Sequence, residues 1–123
     1  MRHWLGVSVC LLAVGCINTS VQRLDQAARP ERPPEAVAVL LERPSQPFTI
    51  IAFVESKGQT AFDSFADLRA RLVAEAAKLG GDAVILGPES TDSEFIFTGS
   101  AMIKSDRKRL VGEIIVYDRG DRS

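Results

Sequence analysis

The sequence is poor in the side chains that carry most protein chemistry. It contains one histidine, one tryptophan and two cysteines among 123 residues. His3, Trp4 and Cys10 lie in the first fifteen residues, so the rest of the chain keeps one cysteine, Cys16, and no histidine. That part can form no internal disulfide, no catalytic site that needs an imidazole and no zinc site built on His or Cys. We therefore predict no catalytic residue, no metal site, no cofactor and no enzymatic activity.

The chain also lacks an excess of charge of either sign. Fifteen lysines and arginines stand against sixteen acidic residues, which gives a formal net charge of −1. The densest basic group comprises Lys104, Arg107, Lys108 and Arg109. These cations would neutralise too few phosphates for useful affinity, so we expect no nucleic-acid partner and interpret the group as a polar turn.

The N-terminal segment has the parts of a secretion signal. A short basic start containing Arg2 is followed by about eleven apolar residues, 4–14. That length is typical of a signal and too short to span about 30 Å of hydrocarbon as a helix. We predict a signal peptide over residues 1–15, cleaved between Gly15 and Cys16. The alternative is an ordinary secreted protein whose signal ends beside an incidental cysteine.

Residues 12–16 (LAVGC) resemble the lipobox of bacterial lipoproteins, with Ala13 where leucine is commoner. The resemblance implies that Cys16 is the lipid attachment site and becomes the acylated N-terminus, which anchors the protein in a membrane. Because Ile17 and not Asp follows the cysteine, it also implies an outer-membrane location facing the periplasm. Several acyl chains such as palmitate, at about 0.8 kcal/mol per buried methylene, would make a permanent tether. Lipidation at Cys10 instead would leave an apolar run of about five residues, too short for a signal.

The next stretch, residues 16–35, changes to a polar composition with Pro30, Pro33 and Pro34. Proline disfavours helix in the preceding residues, and so few apolar side chains cannot offset the entropy of ordering. We predict that this stretch is a flexible stalk between the lipid and a folded domain. As a random coil it would span about 25 Å.

Residues 36–118 carry the pattern of one small domain, followed by a frayed tail at 119–123. Apolar runs at 36–41 and 48–54 predict two strands. A helix capped by Thr60 or Asp63 follows and ends at Gly80-Gly81, where glycine can adopt a left-handed conformation. Apolar residues at three- and four-residue steps define its buried face: Phe65, Leu68, Leu72, Ala76 and Leu79. Arg71 lies on the opposite face.

Three further strands are predicted at 82–86, 95–104 and 109–117, separated by loops at 87–93 and 105–108. Gly99 and Ser100 weaken the middle of the second of these strands or mark a bulge. The order β-β-α-β-β-β predicts an α+β fold with one helix packed on a mainly antiparallel sheet.

Two of these strands have apolar residues at both odd- and even-numbered positions, so both of their faces are apolar. Ile51 and Phe53 alternate with other apolar residues in one strand, and Ile115 lies between Ile114 and Val116 in another. One helix covers one face of a sheet, so the second apolar face must be closed within the chain, by an envelope protein partner or by self-association.

The helix and the strand after it resemble the small domain shared by RcsF-type outer-membrane stress-sensor lipoproteins and YbjQ-like proteins. The residues that carry the likeness are Leu79-Gly80-Gly81-Asp82-Ala83-Val84-Ile85 and Gly99-Ser100-Ala101. The resemblance implies the fold, a strand at the second motif and an interaction role. RcsF-type domains are stapled by disulfides, and residues 17–123 contain no cysteine to form them. Metal binding suggested for YbjQ-like proteins would lack His and Cys ligands here, so no binding residue is carried over.

Two functions of different classes remain open. The first is a non-enzymatic, lipid-anchored interaction or sensor module of the cell envelope. The alternative is a small ligand-binding or hydrolytic domain that uses the carboxylates predicted to lie in or beside the loop after the third strand, Glu89, Asp92 and Glu94. A concave pocket containing these carboxylates would favour the alternative, and an exposed apolar sheet face would favour the first.

The anchor gives the first testable prediction. Cys16→Ser should abolish acylation and release or stall the protein, because a hydroxyl cannot form the thioether. Intact-mass analysis of the membrane fraction measures this directly. A mature protein that starts at another residue, or that lacks acyl mass, would contradict the lipoprotein interpretation.

Overall fold

The computed structural model describes residues 17–60 and 62–118. The predicted signal peptide, its cleavage site at Gly15, the lipid site Cys16 and the tail 119–123 lie outside these residues. The described chain forms six strands and one α-helix: β1 Ile17–Arg23, β2 Ala38–Leu40, β3 Phe48–Gly58, α1 Phe65–Lys78, β4 Ala83–Leu86, β5 Ser90–Phe97 and β6 Met102–Tyr117. A 3-10 turn, Pro34–Ala36, precedes β2.

The strands form one mixed sheet in the order β1-β3-β6-β4-β2, and β5 pairs with β6 outside this path. All pairings are antiparallel except that of β2 with β4. The predicted α+β class, with one helix on a mainly antiparallel sheet, is confirmed. The strand order differs from the prediction because β1 precedes the predicted domain.

The helix has the predicted buried face. Leu68, Leu72 and Ala76 are fully buried, and Phe65 and Leu79 pack against the same core. The predicted caps are wrong, because Ser64 caps the helix in a reciprocal capping box with Asp67. The carboxylate of Asp63 instead accepts from the backbone N–H groups of residues 59 and 60, at 2.8 and 3.0 Å, and shapes the preceding turn.

The segment predicted as a stalk begins with a strand, so that part of the prediction is wrong. β1 pairs with β3 along its whole length, from Ile17 opposite Gly58 to Arg23 opposite Ala52. The Thr19 hydroxyl lies 3.0 Å from the Ser56 hydroxyl, which is completely buried. An edge strand needs only one apolar side, and its polar outer residues gave the stretch the composition of a linker.

The residues after β1 also pack on the domain. The Leu24 N–H donates to the Ile51 carbonyl at 2.9 Å, and the Arg32 N–H donates to the Ala77 carbonyl at 2.9 Å. The Arg32 guanidinium also forms a 2.6 Å ion pair with Asp82. This strap, residues 24–33, therefore closes over the C-terminal end of α1 and is part of the folded domain.

Gly80 is the residue that lets the strap and the helix meet. Its φ of +73° ends α1 in the left-handed conformation, as predicted. A Cβ at this position would also lie 2.6 Å from the Arg29 Cβ, closer than such atoms approach. Arg29 in turn holds the carboxylate of Asp25 at 3.0 Å, and this hydrogen bond lowers the pKa of Asp25 and raises that of Arg29.

A β-bulge explains why successive residues of β3 are apolar. The pairing with β6 runs from Ile50 opposite Ile115 to Ala52 opposite Ile114, and Ile51 is the extra residue. Ile51 and Ala52 both enter the core beneath α1, whereas Ile50 packs on the other face of the sheet. The bulge therefore allows one short run to contribute to two cores.

The chain turns earlier than predicted between β5 and β6. The predicted strand 95–104 is wrong, because residues 98–101 form a tight turn in which the Thr98 N–H donates to the Ala101 carbonyl at 2.8 Å and Gly99 has a φ of +95°. The predicted loop 105–108 is wrong too, since these residues pair with 91–94 inside a long hairpin. A two-stranded ribbon exposes both faces, so polar residues there give no strand-like alternation.

The core beneath the helix gives the second prediction. Leu72→Ala should lower the free energy of unfolding by about 2–4 kcal/mol, because it removes a fully buried side chain and leaves a cavity. The control Arg71→Ala, on the exposed face of the same turn, should change it by less than about 0.5 kcal/mol. Chemical denaturation of the two variants measures the difference, and equal midpoints would show that the helix packs by another face.

Candidate functional site

Of the three acidic residues predicted to act together, Glu89 and Asp92 pair with different cations. Glu89 precedes β5 and lies 3.9 Å from the Arg69 guanidinium on α1. Asp92 lies within β5, where its carboxylate is 3.6 Å from the Lys57 amine and 3.9 Å from Arg109. Glu94 is also within β5, and its side chain is outside the described part of the structure. Across residues 17–60 and 62–118, no group of three or more His, Cys, Asp or Glu side chains could hold a metal ion.

A concave surface lies on the face of the sheet opposite α1. It is a groove of about 570 Å³ that crosses β1, β3, β6 and β4. The side chains that define it are Gln22, Arg43, Phe53, Ile85, Val111 and Glu113. Neither Glu89 nor Asp92 lines it. We call this surface the open-face groove.

The floor of the groove is apolar and partly exposed. Phe53 and Val111 leave 40 % and 38 % of their surfaces accessible to solvent. Ile115 lies on the same face of the sheet, four residues after Val111 in β6, and is completely buried. Ile51, the third residue predicted to lie on an apolar face, is buried in the bulge beneath the helix. Phe53 is therefore the exposed member of that group.

The second face of the sheet is closed within the chain at one end and open at the other. Near β2, the buried residues Ala83, Ile85 and Ile115 pack with a set of partly buried side chains, Leu40, Phe48, Ile50 and Tyr117. The groove lies at the other end, where β1 contributes the polar residues Ser20 and Gln22. Closure within the chain, one of the outcomes considered for the apolar face, is therefore observed at the first end only.

Arg43 marks the boundary between the two ends. It belongs to the connection from β2 to β3, and its Nη2 donates to both carboxylate oxygens of Glu113, at 3.0 and 3.1 Å. Its guanidinium carbon also lies 5.8 Å from the centre of the Phe48 ring. This residue therefore covers the closed end and gives the groove a polar wall.

The charges around the groove are paired. Besides the Arg43–Glu113 pair, Arg109 donates to the Glu55 carboxylate at 3.0 Å on the same face of the sheet. Each acid on this face thus has a cationic neighbour, so the groove has no excess of either sign. Such a surface suits an uncharged, apolar group held between hydrogen-bonding residues.

A second exposed apolar surface lies at the end of the β5–β6 hairpin, and sequence reasoning missed it. Five large side chains there are between 45 % and 68 % exposed: Phe95, Ile96, Phe97, Met102 and Ile103. The available signal was an apolar run on each side of Gly99, which is a hairpin pattern with both faces apolar. We call this surface, residues 95–103, the hairpin tip.

No helix in the described ranges is long and apolar enough to cross a membrane. The sequence matches no known family model and no curated protein. The fold is similar to that of a Francisella virulence factor, FvfA, known from a crystal structure in an orthorhombic form. The two share 13 % identity with a TM-score of 0.57, over 83 % of this chain and 99 % of that one.

The likeness to the RcsF-type and YbjQ-like domains stays a prediction. Its first motif does end the helix at Gly80 and continue into β4, as the resemblance implies. Its second motif, Gly99-Ser100-Ala101, was expected in a strand and lies instead in the hairpin turn.

The unequal burial of one sheet face gives the third prediction. Ile115→Asp should prevent folding, because it places an unpaired carboxylate in a dry core. Phe53→Asp should keep a native circular dichroism spectrum and cost about 1–2 kcal/mol, because the new charge can reach water. Loss of folding in both variants would mean that the groove is filled in the free protein.

Proposed function

We propose that this chain is a non-enzymatic, lipid-anchored protein of the cell envelope that binds a protein partner in the open-face groove. The observation that supports this most directly is the exposure of Phe53 on the floor of a 570 Å³ cavity. An aromatic ring exposed in a concave site is the kind of residue that contributes most to protein interfaces. The polar wall at Arg43 and Glu113 would orient the partner.

The anchor in this proposal is Cys16, with the protein on the periplasmic side of the outer membrane. The lipobox-like sequence supports this assignment. Because β1 is paired with β3 from Ile17 onward, no free stalk separates Cys16 from the sheet. A lipid on Cys16 would therefore hold the domain next to the bilayer instead of about 25 Å away.

The arrangement of the acidic residues argues against the hydrolytic alternative. Glu89 and Asp92 have different cationic partners, and neither lines the groove. Carboxylates that act together on one substrate must reach the same bound group, and the separate ion pairs of Glu89 and Asp92 do not arrange them for this.

One feature does favour a second candidate, the binding of a small apolar molecule. A volume of about 570 Å³ lies within the range of about 300–1,000 Å³ typical of small-molecule pockets. The groove is nevertheless a shallow surface of a sheet, bordered by edge strand β1, and this favours a peptide segment or a side chain of a larger partner.

Complementation of a deletion strain provides the fourth prediction. Phe53→Asp should abolish the biological role while the protein stays folded and anchored, because a carboxylate cannot occupy an apolar contact. Leu41→Asp is the matched control, since Leu41 is 81 % exposed and does not line the groove. It should retain the role, and circular dichroism and membrane fractionation establish that both variants are folded and anchored.

A variant without the three carboxylates tests the hydrolytic alternative. A chain carrying Glu89→Gln, Asp92→Asn and Glu94→Gln should remain active. If that chain is folded but inactive while Phe53→Asp is active, the interaction module is the wrong assignment. Native mass spectrometry of protein extracted from its own membranes distinguishes a protein partner from a small apolar ligand. A co-purifying small molecule that is lost in Phe53→Asp would show that the groove binds the small molecule.

A further inference from the structure

We propose that the hairpin tip enters the surface of a lipid bilayer and forms a second membrane contact beside the N-terminal anchor. The proposal rests on the membrane location proposed above, and it adds a lipid-binding element that the anchor does not require. It follows from three observations: the exposure of the tip, its two apolar faces and its position relative to Ile17.

The tip is apolar on both faces of the ribbon. Residues directly opposite in an antiparallel pair lie on the same face, and Ile96 is opposite Ile103. Phe97 is opposite Met102, and Phe95 lies on that same second face. Each face therefore carries at least two large apolar side chains, all of them 45–68 % exposed.

Two apolar faces favour lipid over a protein surface. A partner that docks by one flat face would bury one pair of side chains and leave the other in water. Acyl chains surround an inserted ribbon, so a bilayer can cover both faces at once. Nothing in the described chain does so, because α1 packs on β3, β4 and β6 at the other end of the hairpin.

The register of the sheet places the tip on the same side as the N-terminal anchor. Ile17 is opposite Gly58, and the neighbouring Lys57 is opposite Arg109. β6 continues past this row toward Met102, and at about 3.3 Å per residue it extends roughly 20 Å beyond the end of β3. Because Cys16 directly precedes Ile17 in the sequence, the proposed lipid site belongs to this same end.

Charge contributes little to this contact. The stem of the hairpin carries four basic residues, Lys104, Arg107, Lys108 and Arg109, against the acidic Asp92, Glu94 and Asp106. Asp92 is already paired with Lys57 and Arg109. Insertion should therefore occur on zwitterionic as well as anionic lipid and depend weakly on salt.

Insertion should also be shallow, with the hairpin inclined to the bilayer so that its roughly 20 Å beyond Ile17 does not carry the tip into the centre of the acyl chains. The turn is closed by the Thr98 N–H and hydroxyl, which both donate to the Ala101 carbonyl. The outer edge of β5 has no strand partner in the described chain, so its N–H and C=O groups need water. The apolar side chains can reach the boundary of the acyl chains while the rest of the ribbon stays among the headgroups.

An environment-sensitive fluorophore at the turn tests the proposal. The full chain with Cys10→Ser, Cys16→Ser and Ser100→Cys carries one thiol for a nitrobenzoxadiazole label. The control carries Gln46→Cys instead, in the connection that precedes Phe48 at the opposite end of the sheet. Both proteins are titrated with phosphatidylcholine vesicles, with and without one-third phosphatidylglycerol.

With vesicles, the label at residue 100 should become several-fold brighter and shift to shorter wavelength, while the label at residue 46 should not change. Nitroxides near the headgroups should quench it more than nitroxides at the chain ends. Phe95→Ser with Phe97→Ser should reduce the partitioning of the tip by at least about tenfold. Because this chain lacks Cys16, the result does not depend on acylation.

Two results would overturn the proposal. One is a label at residue 100 that stays in water at saturating lipid, whether or not the protein sediments with the vesicles. The other is a spectral shift that depends on protein concentration without vesicles, which would show that the tip binds a second copy. Neither result alters the intact-mass test of Cys16 or the complementation test of the groove, so failures of the two proposals are distinguishable.

Discussion

The structure depends on strand β6, which pairs with three other strands and contributes to both faces of the sheet. Its C-terminal half lies between β3 and β4, and its N-terminal half pairs with β5. Ile114 and Ile115 are completely buried on opposite faces, so a shift of one residue would exchange two cores of different shape. Gly112 leaves room for the neighbouring strand, since a Cβ there would lie 2.8 Å from the Val84 side chain of β4, and the Leu72 side chain of α1 packs 3.4 Å from the same point. Register, helix position and strand order are thus fixed by one element.

Both exposed apolar surfaces follow from the same arrangement. A sixteen-residue strand is longer than the part of the sheet that one fourteen-residue helix can cover. The excess length of β6 leaves the sheet as the hairpin, and only β5 accompanies it. Where β6 stays within the sheet, α1 covers one face, and the short β2–β3 connection covers only part of the other. At both the groove at Phe53 and the tip at Phe97, apolar strand residues extend past the elements that could cover them.

Sequence patterning predicted the elements whose burial is one-sided. The Leu68–Leu72–Ala76 stripe and the left-handed Gly80 identified α1 and its end, and the apolar runs of β3 and β4 gave the α+β class. It failed where burial does not follow a period. β1 is a polar edge strand, and Ile51 is the extra residue of a bulge. The stem of the hairpin is a two-stranded ribbon with solvent on both faces. The site was harder still, because Phe53 and Ile115 have the same local pattern, and only the Arg43 connection and neighbouring β2 decide which of them is covered.

The position of β1 connects the fold to the proposed location. Ile17 is paired in the sheet, so a lipid on Cys16 would hold the Gly58 end of the domain at the bilayer. The strands would then run away from the membrane, and the groove, which crosses their middle, would face sideways into the periplasm. A partner could reach Phe53 without displacing lipid. The ladder of β1 with β3 would also transmit force directly from the anchor to the strand that carries Phe53. A stalk would have separated the two, whereas this edge strand would connect a lipid on Cys16 directly to the strand that carries Phe53.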